Sequence, residues 1–221
     1  MNANEVTITI KGTRLNGILD LPSDADGLVL FAHGSGSGRM SPRNQAVART
    51  LREIGLGTLL FDLLTAEEEE SETYTRHLRF NIPFLSERLE AATRWALDHA
   101  ATRDLSIGYF GSSTGAAAAL MAAARLGDVI SAVVSRGGRT DLAGRAALAR
   151  VTAPTLFIVG KNDTALIPLN EDAFAQLRCE KALRLIPDAS HLFEEEGALE
   201  MVAGIAAEWF ADHLHPMQRT A

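Results

Sequence analysis

Two stretches of alternating apolar and polar residues open the chain, Val6 to Lys11 and Leu15 to Leu21, and read as a hairpin-like pair of strands. The alternation then gives way to short continuous apolar runs: Leu28 to Ala32, Thr58 to Phe61, Leu105 to Phe110, Ile130 to Val134, Thr155 to Val159 and Ala182 to Ile186. Strands apolar on both faces belong to a parallel sheet covered on each side, where neither face meets water. Helical spacing fills the gaps. Ser41 and Pro42 form a cap and first-turn pair, after which Val47, Leu51 and Ile54 share a face and Gly55 ends the helix. Leu85, Leu89, Ala92 and Ala96 mark a second helix. The alanine- and leucine-rich stretch from Gly115 to Leu126 has the composition of a helix packed deep against a sheet, and Leu199, Val202, Ala206, Trp209 and His213 trace the last one. Strand and helix alternate through most of the chain, which predicts an α/β fold with a mainly parallel sheet. No repeat or low-complexity linker divides it, so residues 1–221 read as one domain. The acidic run Glu67 to Glu70, within the segment Ala66 to Arg79, reads most simply as a solvated loop or helix start, with a gate over the site as the functional alternative.

Charge and composition narrow the partners. The net charge is −7, from 28 acidic and 21 basic residues, which disfavours nucleic acid or an anionic membrane as the main partner. The single cysteine, Cys179, allows no intrachain disulfide. The opening residues lack a basic stretch followed by an apolar run, and no uncharged apolar segment approaches the roughly 18 residues of a membrane helix. The expectation is a soluble, cytoplasmic protein with a small-molecule substrate, a homodimer being left open.

The sharpest chemical signal is G-S-S-T-G, residues 111–115, of the form G-x-S-x-G with Ser113 at its centre. It directly follows an apolar strand and directly precedes a helix, the context in which a sharp glycine-flanked turn lifts a serine hydroxyl above a sheet edge. A serine needs a base to accept its proton. Of the six histidines, His191 stands in D-A-S-H-L-F just after the last predicted strand, where a loop can reach over that edge. Asp163, in V-G-K-N-D-T after the strand Thr155 to Val159, is the acid expected to orient the imidazole; Asp141, after the preceding strand, is the rival, with a helix cap as its other reading. The glycine-rich turn F-A-H-G-S-G-S-G follows the first parallel strand, and the backbone N–H groups of Ser35 and Thr114 are the expected oxyanion donors. Neither a phosphate-binding G-x-x-x-x-G-K-[ST] loop nor a dinucleotide fingerprint is present in frame. No H-E-x-x-H occurs and Cys179 has no neighbouring thiol, so no metal or organic cofactor is implied.

These residues resemble an α/β-hydrolase, and more narrowly the small dienelactone hydrolase-like group, over nearly the whole chain. The resemblance implies an eight-stranded, mostly parallel sheet without a large lid domain, a Ser113–Asp163–His191 triad and carboxylic-ester hydrolysis. It has departures. Dienelactone hydrolases proper carry a cysteine nucleophile where this chain has Ser113, and they hold the substrate carboxylate with arginines, one shortly after the histidine, where Glu194, Glu195 and Glu196 stand here. Arg136 and Arg139, in S-R-G-G-R-T, are the arginines left to bind an anionic group, their alternative being surface or helix-cap roles. The expected activity is a serine esterase acting on small esters through an acyl-enzyme. Acyl transfer, thioester or peptide cleavage by the same triad, and a non-catalytic binding module on the same scaffold, are the alternatives.

Overall fold

The structure is a computed structural model, and it describes residues 4–10, 12–75 and 77–215. Lys11, at the end of the first predicted strand, and Arg76, within the acidic segment, lie outside the described residues.

Eight strands form one sheet in the order β1-β2-β4-β3-β5-β6-β7-β8. The hairpin pattern at the start becomes β1 (Glu5–Ile10) and β2 (Thr13–Asp20), antiparallel, with Ile8 opposite Leu15. β2 also runs antiparallel to β4 (Gly57–Phe61). From β4 onward every pairing is parallel, through β3 (Gly27–Ala32), β5 (Ser106–Ser112), β6 (Ile130–Arg136), β7 (Thr155–Gly160) and β8 (Lys181–Ile186).

Because side chains alternate across each strand, the apolar runs feed two cores. Leu28, Leu30, Ile107, Tyr109 and Val133 point to the face covered by α3 (Ile82–Asp98) and α4 (Thr114–Leu126). Val29, Phe31, Phe110, Ala132 and Val134 point to the other, covered by α1 (Pro42–Glu53) and α7 (Ala198–His213). The predicted cap of α1 is formed: the Asn44 N–H donates to Ser41 Oγ at 3.4 Å. Among the described residues the apolar pattern does not mark α5 (Arg145–Leu148) or α6 (Ile167–Gln176), and the acidic run falls in α2 (Ala66–Thr75), in keeping with a helix start there.

Two details differ from the pattern. Ile54 caps α1 and is exposed instead of sharing the buried face of Val47 and Leu51, because the helix ends one residue before it. β8 is not apolar-covered on both faces: it is the edge strand, and Leu185 is exposed. Among the described residues no helix is long and apolar enough to cross a membrane.

Candidate active site

The carboxyl ends of β3, β5, β6, β7 and β8 converge on one edge of the sheet, where α/β folds place their sites. Ser113 sits between the last residue of β5 and the first of α4, with φ 50° and ψ −119°. A non-glycine residue in that region costs on the order of 1–3 kcal/mol and persists only when its surroundings over-determine it. They do so here. The Ser113 N–H donates to the Arg136 carbonyl at 3.2 Å, and the Ser113 carbonyl accepts from Ala116 and Arg139 N–H at 3.1 and 3.0 Å. The flanking glycine is obligatory: a Cβ on Gly115 would lie 2.1 Å from the Ala32 carbonyl oxygen.

Asp163 and His191 are brought together although 28 residues separate them. Asp163 Oδ2 accepts from His191 Nδ1 at 2.7 Å, with Asp163 mostly buried and His191 half-exposed. Their two loops are joined by the chain itself, since the Asn162 N–H donates to the Ala189 carbonyl and the Asn162 side-chain amide to that of Asp188, each at 2.9 Å. Asp141 is engaged elsewhere: both its oxygens accept from Arg139, at 2.9 Å each.

Nucleophile candidate and histidine share a neighbour, the turn after β6. Arg136 accepts from the Ser113 N–H, whereas Gly137, at φ 51°, lies so close to the imidazole that a Cβ there would sit 3.4 Å from His191 Nδ1. Among the described residues no hydrogen bond joins His191 Nε2 to the Ser113 hydroxyl. The hydroxyl of Ser113 and the imidazole are thus held on either side of one turn, with the free Nε2 of His191 available to a partner.

Ser35 and Thr114 line one small hollow beside Ser113. As the first residue of α4, Thr114 has an N–H with no intrahelical acceptor; among the described residues the Ser35 N–H finds none either. The turn carrying Ser35 presses on the nucleophile, because a Cβ on Gly34 would meet Ser113 Cβ at 3.1 Å. His33 anchors this turn. Its Nε2 accepts from the Leu63 N–H at 2.9 Å, so the proton resides on Nδ1, which donates to the Gly34 carbonyl at 3.0 Å. Burial lowers the His33 pKa, against smaller raising effects from the Gly34 hydrogen bond and nearby acids, and the ring stays neutral as a brace between loops.

The acidic segment, which reads as a solvated loop or helix start with a gate as the alternative, does start a helix, and its Glu69 and Arg79 line the far wall of the hollow. Thr65 and Glu68 make a capping box that starts α2: the Thr65 N–H donates to Glu68 Oε2 and the Glu68 N–H to Thr65 Oγ1, at 2.8 and 3.1 Å. Glu72 is fully buried and accepts from the N–H groups of His77, Leu78 and Arg79, from Arg79 Nε and from Thr75 Oγ1. Burial pushes its carboxyl up, but these hydrogen bonds outweigh it and draw the pKa down to about 2. Held this way, Arg79 reaches the hollow beside Gly36 and faces Glu69. Arg79 is the site residue that the sequence pattern does not single out; an arginine in a run of charged residues carries no motif, and the buried Glu72 directs it inward.

Arg136 and Arg139, the two arginines of S-R-G-G-R-T, have different surroundings. Arg139 is matched by Asp141, which raises its pKa through their hydrogen bonds. Arg136 is buried, and burial first, the nearby Arg43 second, lower its pKa to about 10. Arg139 is thus a partly exposed residue at the start of the 3-10 turn Thr140–Ala143, paired with Asp141, whereas Arg136 is buried with its Nη1 unpartnered among the described residues.

Comparison with known proteins bears on the fold that carries these residues. Residues 25–203 match the family model described as alpha/beta hydrolase domain. A dienelactone hydrolase from Anabaena variabilis, known by its crystal structure, is 55% identical and superposes with a TM-score of 0.94, over 96% of this chain and 97% of that one. Est1E from Butyrivibrio proteoclasticus, 19% identical with a TM-score of 0.79 over 95% of this chain and 98% of its own, shares the fold. Curated relatives from Mycobacterium tuberculosis, provisionally named phosphoribosyl transferase, are 48% identical over 95% of this chain. They are longer, and the chain spans 46% of their length.

Proposed function

Since the chain belongs to the alpha/beta hydrolase family, we propose that it is a serine hydrolase that cleaves small carboxylic esters through an acyl-enzyme. The observation that carries this reading is the strained Ser113, at φ 50° between strand and helix, on the same sheet edge as a hydrogen-bonded Asp163–His191 pair. Ser113 attacks the ester carbonyl while His191 Nε2 accepts its proton. Asp163, on Nδ1, holds the imidazole in the tautomer that leaves Nε2 free and then stabilises the imidazolium. The 2.7 Å bond to Asp163 is already made, and the contact between base and nucleophile is of the kind that tightens when substrate binds. The N–H groups of Ser35 and Thr114 receive the oxyanion. The imidazolium protonates the leaving alcohol, and a water activated by the same histidine releases the acid. These steps draw on no metal or organic cofactor.

The hollow is small and walled by Leu63, Leu64 and Leu85, which favours a short acyl group, and Arg79 in its wall offers N–H donors to a polar end of that group. The missing arginine after His191, where Glu194 to Glu196 stand, argues against dienelactone itself as the substrate. The transferase name of the curated relatives belongs to proteins about twice as long, and we assign it to the part of them that this chain does not cover.

Labelling by a fluorophosphonate tests the core of the reading: the wild type acquires a covalent adduct and Ser113→Ala does not. A wild type that stays unlabelled and turns over no ester sinks it in favour of a binding role. On p-nitrophenyl esters, acetate is expected to react much faster than dodecanoate.

A further inference from the structure

Arg136 ends β6, beside the strand that delivers the nucleophile, and the reaction above gives its side chain nothing to do. Its residue exposure is 7%, and among the described residues no carboxylate pairs with it; its Nη1 is buried without a partner. A buried guanidinium lacking an anion is costly, and an apolar side chain of similar volume is often the more stable choice. The nearby Arg43 makes matters worse by repulsion. Some other gain must offset that cost.

Its contacts indicate which. Arg136 Nε donates to Ser112 Oγ at 3.3 Å, on the residue immediately before the nucleophile. Ser112 Oγ in turn donates to Asn44 Oδ1 at 3.2 Å, tying the point to the first turn of α1. The guanidinium carbon stands 5.6 Å from the ring centre of Phe193, two residues after His191. Phe193 is itself buried and held at φ 56°, so its ring is a fixed point under the histidine loop. The Arg136 backbone adds to this: its carbonyl accepts from the Ser113 N–H, and the next residue, Gly137, abuts the imidazole.

We propose that Arg136 is a positioning residue for ester cleavage: clamped between the Ser112 hydroxyl and the Phe193 ring, it sets the separation of the Ser113 hydroxyl from the His191 imidazole. The proposal rests on reading Ser113 and His191 as nucleophile and base. Arginine suits the task because its planar group stacks on a ring while an N–H at a fixed angle reaches sideways. A methionine fills the space and holds neither end. A lysine keeps the charge but has neither the flat face nor the Nε–H.

The test uses the full chain with Arg136→Met, Arg136→Lys, Phe193→Leu and the Met–Leu double variant. The readouts are kcat and KM on p-nitrophenyl acetate, the rate of fluorophosphonate labelling and the imidazole N–H proton resonance of His191. Small misplacements of reacting groups cost up to about 100-fold in rate, so Arg136→Met is expected to lower kcat and labelling rate by about 10- to 100-fold, with KM changed less than about twofold. Arg136→Lys does not restore the rate. Phe193→Leu shows a similar loss, and the double variant is no worse than either single one, as for two ends of one clamp. The His191 resonance shifts or broadens in each. Unchanged kcat and labelling per folded molecule, or full rescue by lysine, overturns the proposal. If Arg136→Met does not fold, Arg136→Lys and Phe193→Leu decide it by the same criteria. Should the wild type neither label nor turn over, the hydrolase reading fails and the proposal falls with it; a wild type that labels while Arg136→Met is unchanged overturns the proposal alone.

Discussion

Ser113 lies between two walls built on different principles. On one side the Asp163 and His191 loops are fastened by uncharged groups: the Asn162 N–H bonds to the Ala189 carbonyl, the Asn162 side-chain amide bonds to that of Asp188, and Gly160 passes so close to the loop that a Cβ would meet the Ala189 carbonyl at 2.3 Å. On the other side, residues 66–75 and 77–80 are organised by one buried carboxylate, Glu72, which gathers five donors from its own segment, and Arg88 of α3 donates to Glu68 at 2.6 Å. Bonds between uncharged groups of neighbouring loops do not depend on pH. A hub built on one buried carboxylate does. The chemistry needs the first kind of support, because the imidazole must stay aligned through proton transfer. A wall that shapes the acyl group can rest on the second kind.

The largest effect is expected where the rigid wall meets the chemistry. Asp163→Asn leaves the loops joined but takes away the charge and the tautomer control, and kcat on p-nitrophenyl acetate should drop on the order of 10⁴-fold. Near-normal turnover in that variant would point to a different acid. Next comes the backbone fastening itself. Gly160→Ala forces apart the Asp163 and His191 loops, with a stability loss of about 1–3 kcal/mol by thermal or urea unfolding and a matching fall in kcat; an unshifted melting curve would mean that the close approach is softer than the geometry implies. On the other wall, Glu72→Gln strips the hub of its charge. KM should rise on the order of tenfold as the acyl hollow loosens, with a much smaller change in kcat, and proteolysis near residues 66–80 should quicken. A kcat loss as large as that of Asp163→Asn would erase the distinction between the walls. The smallest change is expected for Arg79→Met: a KM increase of about threefold on esters whose acyl chain ends in a carboxylate, and none on acetate.

Acid sharpens the same contrast. Glu72 has its pKa depressed from 4.5 to about 2, so the stability it confers is complete above its unfolded value and is lost as pH falls from there toward about 2. Hydrogen exchange corrected for its intrinsic pH dependence should show residues 66–80 losing protection over that window before β5 and β6 do. Glu72→Gln should abolish the window.

Much of this protein was legible along the chain because its signals are local. Alternation in β1 and β2, apolar runs in the parallel strands and the Ser41–Pro42 start of α1 are short-range rules, and each is realised in the fold. The motif at residues 111–115 is local too, since strand, tight turn and helix must follow one another in sequence for Ser113 to be raised. Asp163 and His191 were reachable by their positions after successive strands. What the sequence could not state is which charges meet. Asp141 and Asp163 look alike as residues after strands, and only the folded chain gives one to Arg139 and the other to His191. Arg136 and Arg139 stand three residues apart in one turn, yet one is buried under Phe193 and the other is paired at the surface. Glu72 follows the run Glu67 to Glu70, which reads as a solvated loop or helix start, and it is the buried hub of a wall. Hydrophobic periodicity encodes the direction in which a residue faces, whereas the partner of a charge depends on segments brought together from distant parts of the chain, and that was decided by tertiary packing alone.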